Sequence, residues 1–98
     1  MDDDELRQAL ARFDATLRQV ERHAGRGLDA DCERRLDAHR RVLVHLLETD
    51  AAVLVTEVVK AAKRTLLADE PAAELQEIQV VRHSIERMLE RQARVRPG

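Results

Sequence analysis

The chain has 98 residues and a mass of 11.2 kDa, which is enough for one domain with a limited hydrophobic core. Aromatic residues make up 1% of it, with Phe13 as the sole member, which argues against aromatic binding anchors and base-stacking surfaces for nucleic acid. Charged residues make up 37% and nearly balance at a net charge of −2, in a composition typical of long helices and coiled coils.

The cellular environment is predicted from three features of the sequence. Cys32 is the sole cysteine, so no intrachain disulfide forms and a reducing compartment is expected. The acidic N-terminus lacks the apolar region of a signal peptide. The most apolar stretch, Val42–Val59, is interrupted by charged residues and is unsuited to crossing a membrane. We therefore expect a cytoplasmic protein without a membrane segment.

The first predicted helix covers about residues 3–24. Its acidic start suits the positive end of a helix dipole. Apolar residues then recur at alternating spacings of four and three, forming one stripe: Leu6, Leu10, Phe13, Leu17, Val20 and Ala24. Gly25 and Gly27 end the helix, because glycine adopts the left-handed backbone found after helix C-termini. The short connection predicts that the next helix runs antiparallel to this one.

The second predicted helix covers about residues 30–68, a stretch with no glycine or proline after Asp31. Its apolar stripe contains Leu36, Leu43, Leu47, Leu54, Val58 and Ala61. The sequence favours one unbroken helix of roughly 57 Å. Asp50 is the residue that could start a fresh helix, because aspartate is a good N-cap.

The third predicted helix covers about residues 71–94. Pro71 suits its first turn, and the residue before a proline is pushed out of the helical region, which separates it from the second helix. Leu75, Ile78, Val81 and Ile85 open its apolar stripe. Residues 95–98 are expected to fray.

These lengths predict an all-α fold, an antiparallel three-helix bundle in short–long–short order. Two short helices cannot cover a long central one, so we expect a homodimer with a four-helix-type core. The predicted dimer or partner interface follows the central apolar band: Leu43, Leu46, Leu47, Asp50, Val53, Leu54, Glu57 and Val58. A break at Asp50 would instead allow a monomeric four-helix bundle.

Polar residues along one edge of the central stripe are the candidates for a site. His39, Asp50 and Glu57 combine the imidazole and carboxylate groups from which metal sites in helical bundles are built. Such sites normally contain Glu-x-x-His pairs, and the sequence has none. We therefore predict no metal or other cofactor, and expect Asp50 and Glu57 to pair with arginines and fix helix register.

Enzymatic and nucleic-acid functions have weaker support. The sequence lacks phosphate-binding glycine loops, a nucleophile elbow and a Cys-x-x-Cys pair, so no catalytic residues are predicted. Basic pairs such as Arg34-Arg35 are interleaved with acidic residues, and the pI near 6.1 argues against binding to nucleic acid.

The favoured prediction is a non-catalytic homodimeric protein-interaction module, such as an adaptor, chaperone-like or regulatory accessory protein. The alternatives are a bundle that binds a metal or small ligand through His39, Asp50 and Glu57, and a weak nucleic-acid-binding accessory protein.

Overall fold

A computed structural model describes residues 3–95 and confirms the all-α prediction. Within that range the chain forms four helices: α1 Asp3–Arg22, α2 Ala30–Leu46, α3 Thr49–Leu67 and α4 Ala72–Val95. The bundle is elongated, measuring 46 × 22 × 21 Å along its principal axes. None of these helices is both long enough and apolar enough to cross a membrane.

The four helices run alternately up and down. Each packs against the next along the chain, α1 closes the ring against α4, and α1 also touches α3 across the middle. Cross-helix contacts fix the register: Thr16 on α1 meets His39 on α2, and Lys63 on α3 meets Asp37 on α2. One chain therefore supplies a four-helix cross-section by itself.

The prediction of an unbroken helix over residues 30–68 is wrong. Leu47 ends α2, with its N–H donating to Leu43 O, and its backbone is extended. Glu48 is also extended, at φ −68° and ψ 163°, and precedes the first turn of α3. The chain folds back here because α2 and α3 each carry their own apolar stripe, and both stripes are buried when the two helices pack side by side.

The core runs along one face of every helix. The predicted stripe of the first helix lies in it, with Phe13 and Leu17 fully buried. Phe13, the sole aromatic residue, is fully buried, and its ring lies 5.8 Å from that of His39 on α2. The buried apolar side chains are Ala9, Leu10, Phe13, Leu17, Val20, Leu36, Leu43, Val55, Val58, Val59, Ala61, Ala62, Leu66, Ile78 and Ile85.

The α1–α2 loop closes the end of α3. Gly25 N donates to Thr65 O at 2.9 Å, and Gly27 N donates to Leu66 O at 2.8 Å. Both glycines have positive φ, at 75° and 100°, a conformation that other residues rarely adopt. The last carbonyls of a helix have no partner within it, so these amides satisfy acceptors that would otherwise be left open.

The predicted ends of the outer helices differ little from those observed. The first helix ends at Arg22 rather than at residue 24, and the last starts at Ala72, directly after Pro71. Val95 is the final residue of α4. The rest of the predicted frayed tail, residues 96–98, lies outside the described residues.

Candidate functional site

The eight residues of the predicted interface lie in three environments. Leu43 and Val58 are fully buried in the chain's own core. Leu46 and Leu47 are half-buried and pack against that core from the end of α2. The exposed members all belong to α3: Asp50, Val53, Leu54 and Glu57.

The apolar residues next to the α2–α3 turn form a surface that the bundle does not cover. We define it as the hairpin surface: Val44, Leu46, Leu47, Val53 and Leu54. Val53 and Leu54 are 57% and 54% exposed, and Val44 is also exposed. The turn brings the end of α2 beside the start of α3, so these side chains share one end of the bundle. The predicted dimer rested on the length of an unbroken central helix, and the structure has two shorter helices in its place. The exposed hairpin surface is the remaining observation that favours association.

The structure does not gather the metal-binding candidates into one site. His39 faces α1, whereas Asp50 and Glu57 are exposed on α3. Glu57 pairs within its own helix, 3.6 Å from Lys60 Nζ, rather than with an arginine of another helix. Among the described residues, no three His, Cys, Asp or Glu side chains are arranged to hold a metal ion.

His39 forms a polar contact at the edge of the core. Its Nε2 shares a hydrogen bond of 2.8 Å with Thr16 Oγ1, and its ring centroid is 5.8 Å from that of Phe13. Burial lowers the pKa of His39, and the positive charges of Arg35 and Arg12 lower it further. The imidazole is therefore held neutral at physiological pH, where either tautomer satisfies the buried threonine hydroxyl.

Cys32 lies beside a cleft of about 270 Å³ at the start of α2. Its backbone N–H donates to Asp29 Oδ1 at 2.7 Å, which makes Asp29 the N-cap of α2. Burial raises the pKa of the Cys32 thiol, the charge of Asp29 raises it further, and Arg35 only partly offsets them. The thiolate needed for nucleophilic or redox chemistry is disfavoured.

A partly buried ion-pair network joins α1 to α4, and the sequence analysis did not predict it. Arg82 Nε donates to Asp14 Oδ1 at 2.9 Å, Nη1 to Glu21 Oε1 at 2.9 Å and Nη2 to Glu86 Oε1 at 3.0 Å. Burial disfavours the charged form of Arg82, but the hydrogen bonds that it donates to Glu21 and Asp14 outweigh this effect, and the pKa of Arg82 is raised. The sequence did contain an indication of this network, because the acidic residues Asp14 and Glu21 lie seven residues apart on one side of the apolar stripe of α1.

Two other seams between helices also contain ion pairs. Lys63 on α3 lies 2.9 Å from Asp37 on α2, which lowers the pKa of that aspartate through the hydrogen bond. Arg64 on α3 lies 3.7 Å from Glu77 on α4. Together with the Arg82 network, these pairs place compensated charge on three of the four seams around the bundle.

The fourth seam, between α1 and α2, differs. Its described cross-helix polar contacts are the Thr16–His39 bond and a hydrogen bond of 3.0 Å from Arg35 Nη1 to Gln19 Oε1. Neither contact involves a carboxylate.

In comparisons with known proteins, no family model, no curated protein and no solved structure matches this chain.

Proposed function

We propose that the protein is a non-catalytic, homodimeric protein-interaction module that docks through the hairpin surface. The observation that carries this proposal is the exposure of Val44, Val53 and Leu54 next to one turn. Single exposed apolar residues are ordinary on a protein surface, but neighbouring ones mark sites of association. Covering them would remove apolar area from water, which is the main favourable contribution to most protein association.

Charge around the hairpin surface favours a second copy of the chain as its partner. Arg40 and Arg41 lie near the end of α2, whereas Asp50 and Glu57 lie on α3. In a two-fold symmetric interface the same patch is used by both copies in reversed orientation. Pairing α2 of one copy with α3 of the other would therefore bring the arginines of each near the carboxylates of its partner.

The groups most suited to catalysis are committed to structural roles, which supports the non-catalytic part of the proposal. His39 is held neutral against Thr16, and the Cys32 thiol has a raised pKa. Ser84 Oγ donates to Val80 O one turn earlier in α4, at 3.2 Å. A nucleophile normally lies within hydrogen-bond reach of a base, and the Thr16–His39 bond is the one contact here that pairs a hydroxyl with a base. Thr16 is buried, however, so its hydroxyl is not accessible to a substrate.

The mass in solution tests the proposal. Sedimentation equilibrium at micromolar concentration should give twice the 11.2 kDa mass of the chain. The double variant Val53→Ser/Leu54→Ser should return to the single-chain mass with its helical circular dichroism intact. Its matched control is Leu67→Ser/Val80→Ser, which removes two equally exposed apolar side chains elsewhere on the bundle and should remain dimeric. A wild-type mass of one chain would overturn the proposal.

A further inference from the structure

The α1–α2 seam contains two arginines that form no ion pair with an acidic side chain among the described residues. We define its residues as Arg12, Thr16 and Gln19 on α1 and Arg35 and His39 on α2. Arg12 lies one turn before Thr16, and Arg35 lies one turn before His39. Because the helices are antiparallel, the two arginines flank the Thr16–His39 bond on opposite sides, roughly 12 Å apart along the seam.

Neither arginine of the seam is neutralised by an acidic side chain. Among the described residues, Arg35 bonds only to the neutral amide of Gln19, and Arg12 forms no hydrogen bond or ion pair. Both charges act on His39, which lies between them. The nearest carboxylates on α2 have other partners: Asp31 pairs with Arg34, and Asp37 pairs with Lys63. The arginines are thus free to accept an external anion.

An apolar side chain borders the same seam. Val42 is seven residues after Arg35, so the two lie on the same side of α2, about two turns apart. Val42 is 47% exposed. The edge of the seam therefore presents a cationic side chain and an exposed apolar side chain on the same side of α2. This arrangement is expected of a groove that binds an amphipathic helix.

We propose that the α1–α2 seam is a docking groove for an acidic amphipathic helix of another protein. Two carboxylates seven residues apart on such a helix are ~10 Å apart, close to the spacing of Arg12 and Arg35. Charge-assisted hydrogen bonds from the two guanidinium groups would hold them. Val42 would contact an apolar residue of the same helix. This function is additional to the hairpin surface, because its two arginines are not part of that surface.

The seam suits a protein partner better than a nucleic acid. It has two arginines and no tyrosine, tryptophan or exposed phenylalanine on which a base could stack. A polyanion gains affinity by contacting many cations at once, and the overall charge of −2 does not favour that. An acidic helix needs only the two cations that the seam provides.

A synthetic peptide provides the test. The probe is a fluorescent alanine- and leucine-based helix with two glutamates seven residues apart, and its control replaces both glutamates with glutamine. Fluorescence anisotropy should show saturable binding of the glutamate peptide and about tenfold weaker binding of the glutamine peptide. A thymidine oligonucleotide of similar length is the competing probe. Equal binding of both peptides, no binding, or tighter binding of the oligonucleotide would overturn the proposal.

Matched variants locate the contact. Arg12→Gln/Arg35→Gln should weaken binding of the glutamate peptide by about tenfold or more. Arg22→Gln/Arg87→Gln removes the same charge from exposed positions on α1 and α4 outside the seam and should change binding by less than about twofold. An equal loss in both variants would show a non-specific charge effect and refute the docking groove. Should the seam variant fail to fold, NMR titration of the wild type decides: the His39 ring signals must shift on addition of the peptide.

The same assay separates this inference from the dimer proposal. Val53→Ser/Leu54→Ser alters the hairpin surface and leaves the seam unchanged. Peptide binding by that variant at wild-type affinity would show that the groove acts independently of dimerisation. Loss of binding in that variant would refute an independent groove on one chain.

Discussion

Arg82 on α4 donates a hydrogen bond of 2.9 Å to Asp14 on α1, and both side chains are largely removed from solvent. The side chain of Arg82 is 17% exposed and that of Asp14 is 7% exposed. Arg18 adds a second cation, 3.3 Å from Asp14. The first and last helices are therefore joined by a compensated charge cluster beside the core, rather than by apolar packing alone.

Removing one member of this cluster should destabilise the fold strongly. Arg82→Met leaves Asp14 with only the more exposed Arg18 as a counter-charge, and Asp14→Asn weakens the hydrogen bonds that hold Arg82. Each change should lower the free energy of unfolding by about 2–4 kcal/mol, because an unpaired charge near the core is costly. Urea denaturation followed by circular dichroism measures this.

The exposed pair between Arg34 and Asp31 is the control for that experiment. Arg34→Met should change the free energy of unfolding by less than about 1 kcal/mol, because solvent screens surface pairs. A loss in Arg82→Met no larger than in this control would contradict a stabilising role for the cluster. A double-mutant cycle with Asp14→Asn would then measure the coupling between the two residues directly.

His39 should make the stability of the protein depend on pH. Its pKa in the folded state is lowered from the ordinary 6.5, so the unfolded chain binds the proton more readily. The stabilising contribution is fully present above the unfolded pKa and is lost as the pH falls through the folded pKa. Acidification from about pH 7.5 to about pH 5.5 should therefore lower the melting temperature.

The variant His39→Gln isolates that effect. Glutamine can still bond to Thr16 but does not titrate, so its melting temperature should fall less than that of the wild type over the same pH range. His45 is exposed on α2, and His45→Gln should retain the full pH dependence. Identical pH profiles for His39→Gln and the wild type would contradict the assignment to His39.

A better N-cap should stabilise α3. Glu48 occupies the N-cap position with extended backbone, but its side chain makes no capping hydrogen bond. Serine or aspartate can accept a hydrogen bond from the open amides of the first turn. Glu48→Ser or Glu48→Asp should therefore raise the free energy of unfolding by about 0.5–1 kcal/mol. Thermal denaturation measures the gain, and Glu48→Ala, which lacks an acceptor, should show none.

The first helix could be predicted from the sequence because several local signals agree. Acidic residues begin it, glycines follow it, and the stripe through Leu10, Phe13 and Leu17 keeps one period between them. The structure buries all three of these residues. A helix with consistent start, stop and periodic signals depends little on the rest of the chain for its identification.

The break between α2 and α3 was harder to predict because no glycine or proline marks it. The informative signal is a change in phase of the apolar pattern. A continuous helix would bury Leu54 after Leu43 and Leu47, but the structure exposes Leu54 and buries Val55. That offset of one residue rotates the stripe by 100° and cannot be accommodated on one straight helix facing one core.

The candidate surfaces could be predicted only in part. The sequence predicts Val53 and Leu54 as interface residues, and both are exposed. It also predicts Leu43 and Val58, which are buried in the core of the chain itself. The charge on the α1–α2 seam could not be foreseen, because it depends on which helices become neighbours. Arg12 and Arg35 are distant in sequence and flank the same bond only after α1 and α2 pack together.

The contact between Gly25 and Thr65 has a consequence for how the chain folds. The loop that joins α1 to α2 supplies hydrogen-bond donors to the last turn of α3, forty residues later. These backbone hydrogen bonds can form only after α3 has packed against the loop between α1 and α2. The order of assembly is thereby constrained: the two halves should reach their native state together, as a single cooperative unit.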